Sequence, residues 1–241
     1  MTPRAAIRLA TLLCAAAMAL PASAANLPQA VEAQYEVTLN GTPVGVMQDR
    51  FEARNGRYRI VSETRATSVL ALLQRGPARV VSSGEVLAGG LRPLSFEATR
   101  GNVARRITAE FDWNGRTLTL SHDGRIESLP LPAGTQDRLS ALYHFMFVGV
   151  ERLREISFAM TNGRKLDHYR YTPGSDTMIE TPLGRLAVIH LVKRHAPGET
   201  ATEIWLAREH SLLPVRLRII EDDGSRYEQS LLRLDITAAA P

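Results

Sequence analysis

The chain has 241 residues, of which 44% are hydrophobic and 22% are charged. This balance is typical of a globular protein with a buried core and excludes a wholly disordered chain. The net charge is +4, from 29 basic and 25 acidic residues that alternate along the sequence. Because phosphate binding needs a concentrated basic face, the pattern argues against a nucleic-acid partner. The length fits one domain, or at most two.

The N-terminus has the three-part pattern of a secretory signal peptide. Arg4 and Arg8 form a positive start, an apolar run extends from Leu9 to Leu20, and small residues precede a cleavage point that we place after Ala24. The apolar run is about a dozen residues long, short of the roughly 20 that a membrane-spanning helix needs. Residues 1–24 are therefore predicted to be removed on export to the periplasm, and we predict no transmembrane span in the mature chain.

The single cysteine, Cys14, lies inside the apolar run of the predicted signal. It does not fit a lipoprotein signal, because Leu13 stands where such a signal has a small residue. The mature chain is therefore predicted to have no disulfide, no thiol nucleophile and no cysteine-ligated metal.

Most of the mature chain alternates apolar and polar residues with a period of two, which is typical of half-buried β-strands. The alternation is clearest from Val31 to Leu39. Turn signals such as Asn40-Gly41, Asn114-Gly115 and Pro173-Gly174 separate successive strands. We predict a mainly β, antiparallel fold: a strongly curved sheet or a half-open β-barrel. No compositional linker divides residues 25–241, so we predict a single β-rich domain.

Two apolar segments interrupt the strand pattern and predict one or two helices that plug the concave face of the sheet. The first is residues 67–74 (TSVLALLQ) and the second is residues 136–148 (QDRLSALYHFMFV). In the second segment one apolar face has helical spacing; it consists of Leu139, Leu142, Tyr143 and Met146. Thr135 or Asp137 is placed to cap its start. The apolar residues off that face predict a helix that is buried on both sides.

Short motifs in a fixed order resemble a bacterial family catalogued as domain of unknown function 3108. They are Tyr35-Glu36-Val37 with Gly41 and Gly45, Gly90-Leu91-Arg92-Pro93, Gln136-Asp137-Arg138-Leu139-Ser140, Glu180-Thr181-Pro182-Leu183-Gly184, and Trp205-Leu206 with Leu213-Pro214-Val215. The resemblance covers nearly all of the predicted mature chain, and the family name implies no assigned activity. A curved antiparallel sheet with helices in its concave face is also similar to the lipoprotein-carrier folds of the periplasm, a likeness of fold that does not by itself fix function.

The sequence contains no strong catalytic or metal-binding motif. Its six histidines include no pair at helical spacing for a metal, and we interpret them as surface or satisfied residues. Glu209-His210-Ser211 places the residue types of a catalytic triad together, but adjacent side chains point apart. Gly89-Gly90 lacks the spacing and the Lys-Ser of a phosphate-binding loop. We therefore predict no catalytic residue, no metal ligand and no cofactor.

The apolar residues of the two predicted helices are candidates to line a ligand cavity in the sheet. The candidate ligand contacts are Leu70, Leu72, Leu73, Phe145 and Phe147. The candidates for a polar rim around that cavity are Asp137, Arg138 and Ser140. The alternative is that the apolar residues only fill a core, and that Asp137 and Ser140 only cap the helix.

Three functional hypotheses follow, in order of preference. The first is a non-enzymatic periplasmic protein that binds a hydrophobic ligand, such as a lipid or the acyl chains of a lipoprotein. The second is a structural or interaction protein of the cell envelope, with a filled core and exposed strand edges that recruit another envelope protein. The third is a hydrolase of periplasmic substrates whose His, Asp and Ser residues are brought together only by the fold.

Overall fold

A computed structural model describes residues 28–67, 76–101, 106–150 and 153–238. These ranges are built almost entirely from strands. They are β1 (Pro28–Leu39), β2 (Thr42–Arg54), β3 (Arg57–Ala66), β4 (Ala78–Leu87), β5 (Gly90–Arg100), β6 (Arg106–Asp112), β7 (Thr117–His122), β8 (Arg125–Pro130), β9 (Gln136–Asp137), β10 (Ile156–Thr161), β11 (Leu166–Thr181), β12 (Gly184–Lys193), β13 (Ala201–Ala207), β14 (Leu213–Ile220) and β15 (Arg226–Ala238). One short helix, α1 (Ser140–His144), follows β9, and a 3-10 turn spans Arg208–His210.

All of these strands belong to one 15-stranded sheet, in the order β8-β7-β6-β5-β4-β3-β2-β1-β15-β14-β13-β12-β11-β10-β9. Consecutive strands pair antiparallel in two series, β1 to β8 and β10 to β15. The two series join where β1 pairs antiparallel with β15, and β9 is added parallel to β10. Within the described ranges β8 and β9 form the two ends of the sheet, which is not closed. The predicted mainly β, antiparallel curved sheet is confirmed.

Strand β2 shows how the sequence alternation produces the sheet. Its residues Gly45, Met47, Asp49 and Phe51 are buried, while Gln48, Arg50 and Glu52 between them are exposed, because successive side chains of a strand point to opposite faces. The largest apolar cluster collects buried residues from the strands on both sides of the β1–β15 junction and from the α1 segment; it includes Val31, Phe51, Tyr143, Leu213 and Leu231. The core therefore lies inside the curve of the sheet.

The segment predicted to be helical over residues 136–148 is helical only from Ser140 to His144. The helix begins there because the Asp137 carboxylate atom Oδ1 accepts hydrogen bonds from the backbone N–H groups of Leu139 (2.9 Å) and Ser140 (2.8 Å). Before that point the chain is strand β9, which pairs with β10. The Arg138 N–H extends this pairing by donating to Thr161 O at 2.9 Å. Of the other predicted helix, only Thr67 lies among the described residues.

Helix α1 is fixed against the sheet by aromatic and polar contacts. The ring of Tyr143 stacks on Phe51 with centroids 5.4 Å apart. The imidazole Nδ1 of His144 accepts a hydrogen bond from Leu91 N at 3.0 Å, and the amide Nε2 of Gln136 donates to Leu91 O at 2.9 Å. These contacts connect the end of the second strand series to β5 of the first series. In the described part of the chain no helix is long and apolar enough to cross a membrane.

Candidate functional site

A partly open cavity of about 940 Å³ lies between the α1 segment and the curved sheet. One wall comes from β2, β3 and β4, with Met47, Ser62 and Val80 among its residues. The opposite side comes from β10 to β15 and the turns between them, and Leu142 of α1 contributes to the lining. This volume lies at the upper end of the range of small-molecule sites in proteins.

Four aromatic side chains form one apolar side of the cavity. Phe145 packs edge-on against Phe158 and Tyr171, with ring centroids 6.4 Å and 6.3 Å apart. Tyr171 in turn stacks on Phe158 at 6.1 Å and on Tyr169 at 6.4 Å. All four rings line the cavity. Because each ring is held by another, the apolar surface keeps a defined shape.

Charged side chains also reach the cavity, so its lining is amphipathic. The only two lysines of the chain, Lys165 and Lys193, both line it. Lys165 pairs with Asp167 at 2.7 Å, and this hydrogen bond raises the pKa of Lys165. Lys193 donates to Thr200 O at 3.0 Å and lies 5.0 Å from the centre of the Tyr169 ring. The cationic groups therefore border the aromatic wall.

Arg138 adds a further charge to the cavity lining. Its guanidinium carbon lies 5.8 Å from the centre of the Phe96 ring. Its surface remains accessible from the cavity, but the surrounding protein lowers the pKa of Arg138, and the neighbouring Asp137 carboxylate opposes that effect. Of the three predicted rim residues, Arg138 is the one that the structure places at the cavity.

Asp137 precedes the helix and Ser140 is its first residue, and both are fully buried. The Ser82 hydroxyl donates to Asp137 Oδ2 at 2.6 Å, and a second hydrogen bond of 3.0 Å joins Ser82 to Tyr58. With two backbone donors on Oδ1, the Asp137 carboxylate is well supplied with hydrogen bonds, although burial raises its pKa. The pair starts the helix and attaches it to β4, which agrees with the capping alternative.

Two of the predicted apolar ligand contacts lie among the described residues, and the structure places them differently. Phe145 is buried in the cavity wall. Phe147 is half-buried and packs on Phe51, with ring centroids 6.1 Å apart, outside the cavity lining. The remaining candidates, Leu70, Leu72 and Leu73, lie outside the described residues. A role in ligand binding stays a prediction for all five.

Asp49 is a cavity residue that the sequence analysis missed. It stands opposite Ser62 in the pairing of β2 with β3, is only 3% exposed and lines the cavity. The Tyr143 hydroxyl donates to Asp49 Oδ2 at 3.1 Å, whereas Oδ1 is buried and has practically no accessible surface. Burial raises the pKa of Asp49 to about 6, against the opposing effect of the Ser62 and Tyr143 hydroxyls. An acid at an inward position of an alternating strand was the available signal.

The structure brings one serine and one histidine together near the cavity. Ser157 Oγ lies 2.7 Å from His168 Nε2 on the exposed face of β10 and β11. No described carboxylate bonds to His168, so the acid that orients the histidine in a triad is not in place. Glu209, His210 and Ser211 occupy a 3-10 turn and its C-terminal residue, without mutual contacts. Among the described residues, no group of three or more His, Cys, Asp or Glu side chains is placed to hold a metal.

A family model described as a protein of unknown function (DUF3108) matches residues 34–231. A comparison with curated proteins gives no significant match. Among solved structures, a β-barrel-like protein of the domain of unknown function DUF1849 from Brucella abortus is similar, with a TM-score of 0.56 and 10% sequence identity. The alignment covers 88% of this chain and 98% of that chain. At this identity the likeness shows the fold alone.

Two further solved structures align with much lower TM-scores. One, from Parabacteroides distasonis, is provisionally described as a lipoprotein; its TM-score is 0.36 at 10% identity, covering 87% of this chain and 98% of that one. The other, from Bacteroides fragilis, is provisionally described as an exported protein with a YmcC-like fold; its TM-score is 0.37 at 9% identity, covering 86% and 96%. Neither carries an argument about this chain.

Proposed function

The chain belongs to the DUF3108 family of proteins of unknown function, and we propose from its own geometry that it is an exported, non-enzymatic protein that binds a hydrophobic ligand. The observation that carries the proposal is the cavity of about 940 Å³ with its wall of four packed aromatic rings. The site would take one apolar molecule in the concave face of the sheet.

The size of the cavity favours ligand binding over core filling. Protein interiors are close-packed, and voids larger than a water molecule are few. The space beside Phe145, Phe158 and Tyr171 is partly open to solvent, so it is a cleft that a ligand can enter and not a void left by core packing. Phe51 and Val31 pack in a different apolar cluster from Phe145 and Tyr171.

The mixture of apolar and charged lining narrows the class of ligand to amphiphiles. An apolar tail would lie against the aromatic rings, where burial of apolar surface contributes about 25 cal/mol per Å². A polar head would remain near Lys165, Lys193 or Arg138. A lipid, or the acyl chain of a lipoprotein, has this combination of parts.

Native mass spectrometry of the protein purified from the periplasm without detergent tests the proposal. We expect a mass excess that matches a lipid. Ile219→Gln should remove it, because Ile219 of β14 lines the cavity. The matched control is Ile220→Gln, since Ile220 is the next residue of the same strand, is similarly half-buried and is not part of the lining. A bare mass for the wild-type protein, with no uptake of added lipid, would contradict ligand binding.

The export part of the proposal rests on the N-terminal segment that precedes the described residues. If residues 1–24 act as a signal peptide, the exported protein begins at Ala25. N-terminal sequencing of the protein from the periplasmic fraction should read Ala-Asn-Leu. Recovery of the uncleaved chain in the cytoplasm would contradict export.

One observation favours a second candidate function, recruitment of another envelope protein at a strand edge. Within the described ranges β8 is an end strand of the sheet, five of its six residues are exposed, and Ile126 is 76% exposed. An unpaired edge is a place where a partner can add a strand. Cross-linking from residue 126 in the envelope should then capture a defined partner, whereas cross-linking from Ile220 should not.

A further inference from the structure

Arg138 is a cation of the cavity lining that has no anion in contact with it. The residue is exposed, so a molecule in the cavity can reach its guanidinium. Among the described residues the guanidinium has one ring contact, with Phe96 at 5.8 Å, and neither an ion pair nor a side-chain hydrogen bond. The neighbouring Asp137 does not serve as its partner, because both oxygens of that carboxylate already accept hydrogen bonds from other groups.

The other lysines and arginines of the cavity lining each have a polar partner. Lys165 and Arg194 each pair with a carboxylate, at 2.7 Å and 3.4 Å, and Lys193 donates to a backbone carbonyl at 3.0 Å. A guanidinium carries five N–H donors in a planar fork. Arg138 therefore presents unused donors and an uncompensated positive charge to the cavity.

The protein around Arg138 makes an uncompensated charge unfavourable there. Burial lowers the pKa of Arg138, because a protein environment disfavours the charged form. Two partly buried arginines of β14, Arg216 and Arg218, show how the chain compensates such charges elsewhere, since both pair with Glu228. A bound anion would supply the same compensation inside the cavity.

The cavity lining is continuous from Arg138 to the aromatic wall. The backbone N–H of Arg138 donates to Thr161 O at the end of β10. Met160 and Phe158 of that strand both line the cavity, as alternate residues of a strand point to the same face. Phe158 in turn stacks on Tyr171 at 6.1 Å. One molecule can therefore contact the guanidinium and the aromatic rings together.

We propose that Arg138 binds the anionic head group of the amphiphile, a carboxylate or a phosphate, through the N–H donors of its guanidinium. This inference rests on the proposed function and adds a head-group class to it. The planar fork of arginine matches two oxygens of a carboxylate or a phosphate. An alcohol offers one neutral oxygen only, and an ammonium group is repelled.

Four probes with the same alkyl chain test the head-group class: decanoate, decyl phosphate, decan-1-ol and decyltrimethylammonium. Dissociation constants are measured by isothermal titration calorimetry at pH 7.5, after removal of any co-purified lipid. Charge-assisted hydrogen bonds predict that decanoate and decyl phosphate bind about tenfold to a hundredfold more tightly than decan-1-ol. Decyltrimethylammonium should bind most weakly. The tighter of the two anions identifies the head group.

Acetate and inorganic phosphate carry the same oxyanions without the alkyl chain. They should bind far more weakly than decanoate and decyl phosphate, because they bury no apolar surface against the aromatic wall. Equal affinity with and without the chain would overturn the amphiphile and leave a free oxyanion as the ligand.

Arg138→Gln removes the charge and should lower the affinity for both chain-bearing anions to that for decan-1-ol. Its affinity for decan-1-ol should stay as in wild type, which also shows that the cavity is intact. Arg138→Lys keeps the charge without the planar fork and should retain part of the preference. Arg194→Gln is the matched control, because it removes the same charge from a lining arginine that is already paired with Glu155. This control should leave the preference unchanged.

Equal constants for the anions and the alcohol in the wild-type protein would overturn the role of Arg138 while leaving the proposed function intact. The same loss of preference in Arg194→Gln as in Arg138→Gln would also overturn it, since the preference would then follow the total charge of the lining. Failure of every probe to bind would overturn both proposals.

Discussion

At the scale of single residues, two buried ionisable groups are shifted in opposite directions. Burial raises the pKa of Asp49 to about 6 and lowers the pKa of His144 to about 4. Both shifts arise because burial disfavours the charged form. Their effects on stability therefore have opposite dependence on pH, and in the wild-type protein they offset each other over much of the range between pH 4 and 6.5.

Asp49 should lower the stability of the protein as the pH rises. Its folded pKa lies above the ordinary value of 3.8, so the folded state holds the proton more tightly, and this stabilisation is lost between pH 4 and about 6. The shift corresponds to about 3 kcal/mol. The difference in unfolding free energy between Asp49→Asn and wild type should therefore shift by about 3 kcal/mol in favour of the variant between pH 4 and pH 7.5. Urea unfolding measures this difference. An equal difference at both pH values would contradict the shifted pKa.

His144 should have the opposite effect. Its folded pKa lies below the ordinary value of 6.5, so its contribution is complete above pH 6.5 and is lost as the pH falls towards 4. His144→Asn retains an acceptor close to the Nδ1 position that bonds Leu91 N but does not titrate. Relative to wild type, the variant should gain about 3 kcal/mol of unfolding free energy between pH 7 and pH 4. A parallel pH profile for the two proteins would show that His144 is not held neutral.

At the scale of elements, the turn between β4 and β5 determines how the α1 segment is seated. Gly90 has φ +127°, and a Cβ added to it would lie 2.2 Å from Cε1 of His144. Gly89 has open space around the same position. The two adjacent glycines therefore have different roles. Gly89 only turns the chain, whereas Gly90 also leaves space for the imidazole of His144.

Gly90→Ala should destabilise the protein, whereas Gly89→Ala should have little effect. The added methyl group at residue 90 must displace the His144 ring, and overpacking of this kind costs about 1–3 kcal/mol in addition to the strain at positive φ. Thermal unfolding of the two variants in parallel measures the difference. Equal melting temperatures would mean that the imidazole moves aside at no cost.

Individual elements show how far the sequence predicts this fold. Alternation predicts strands such as β1 and β2 because each has one face in the core. Pro173-Gly174 was predicted to end a strand, but β11 continues from Leu166 to Thr181. Pro173 still pairs with Leu191, and a register shift before Asp176 takes up Gly174 and Ser175. The cavity and the raised pKa of Asp49 were not predictable. Alternation shows which face of a strand a residue occupies, but it does not show how far apart two curved faces lie.

At the scale of the whole molecule, the strand pairing that joins the two series is that of β1 with β15. The first residue of β1, Pro28, stands opposite Ala238 at the end of β15. The two ends of the described chain are therefore neighbours, and a short linker can join them. The hairpin turn at Pro182-Leu183, between β11 and β12, is exposed.

A circular permutant that joins residue 238 to residue 28 and opens between Pro182 and Leu183 should fold to the same structure. Exposed turns tolerate new chain ends, and every strand pairing is retained. We expect an unchanged circular dichroism spectrum and an unfolding free energy within about 2 kcal/mol of wild type. A second permutant opened between Tyr35 and Glu36, inside β1, is the control and should not fold. Loss of folding in the first permutant would contradict the conclusion that a short linker can join the two ends of the described chain.

The β1–β15 junction also sets the order in which the chain is able to fold. Val31 pairs with Ile236, so the central seam of the sheet joins segments that lie far apart along the sequence. Contacts between such distant positions slow folding, because a long loop must close before they form. A ribosome or a translocation channel that releases the chain from its N-terminus delivers β1 with one edge unsatisfied until β15 arrives. The sheet is thus completed only after all the intervening strands have been made, and protection of β1 by a chaperone during that interval would prevent aggregation.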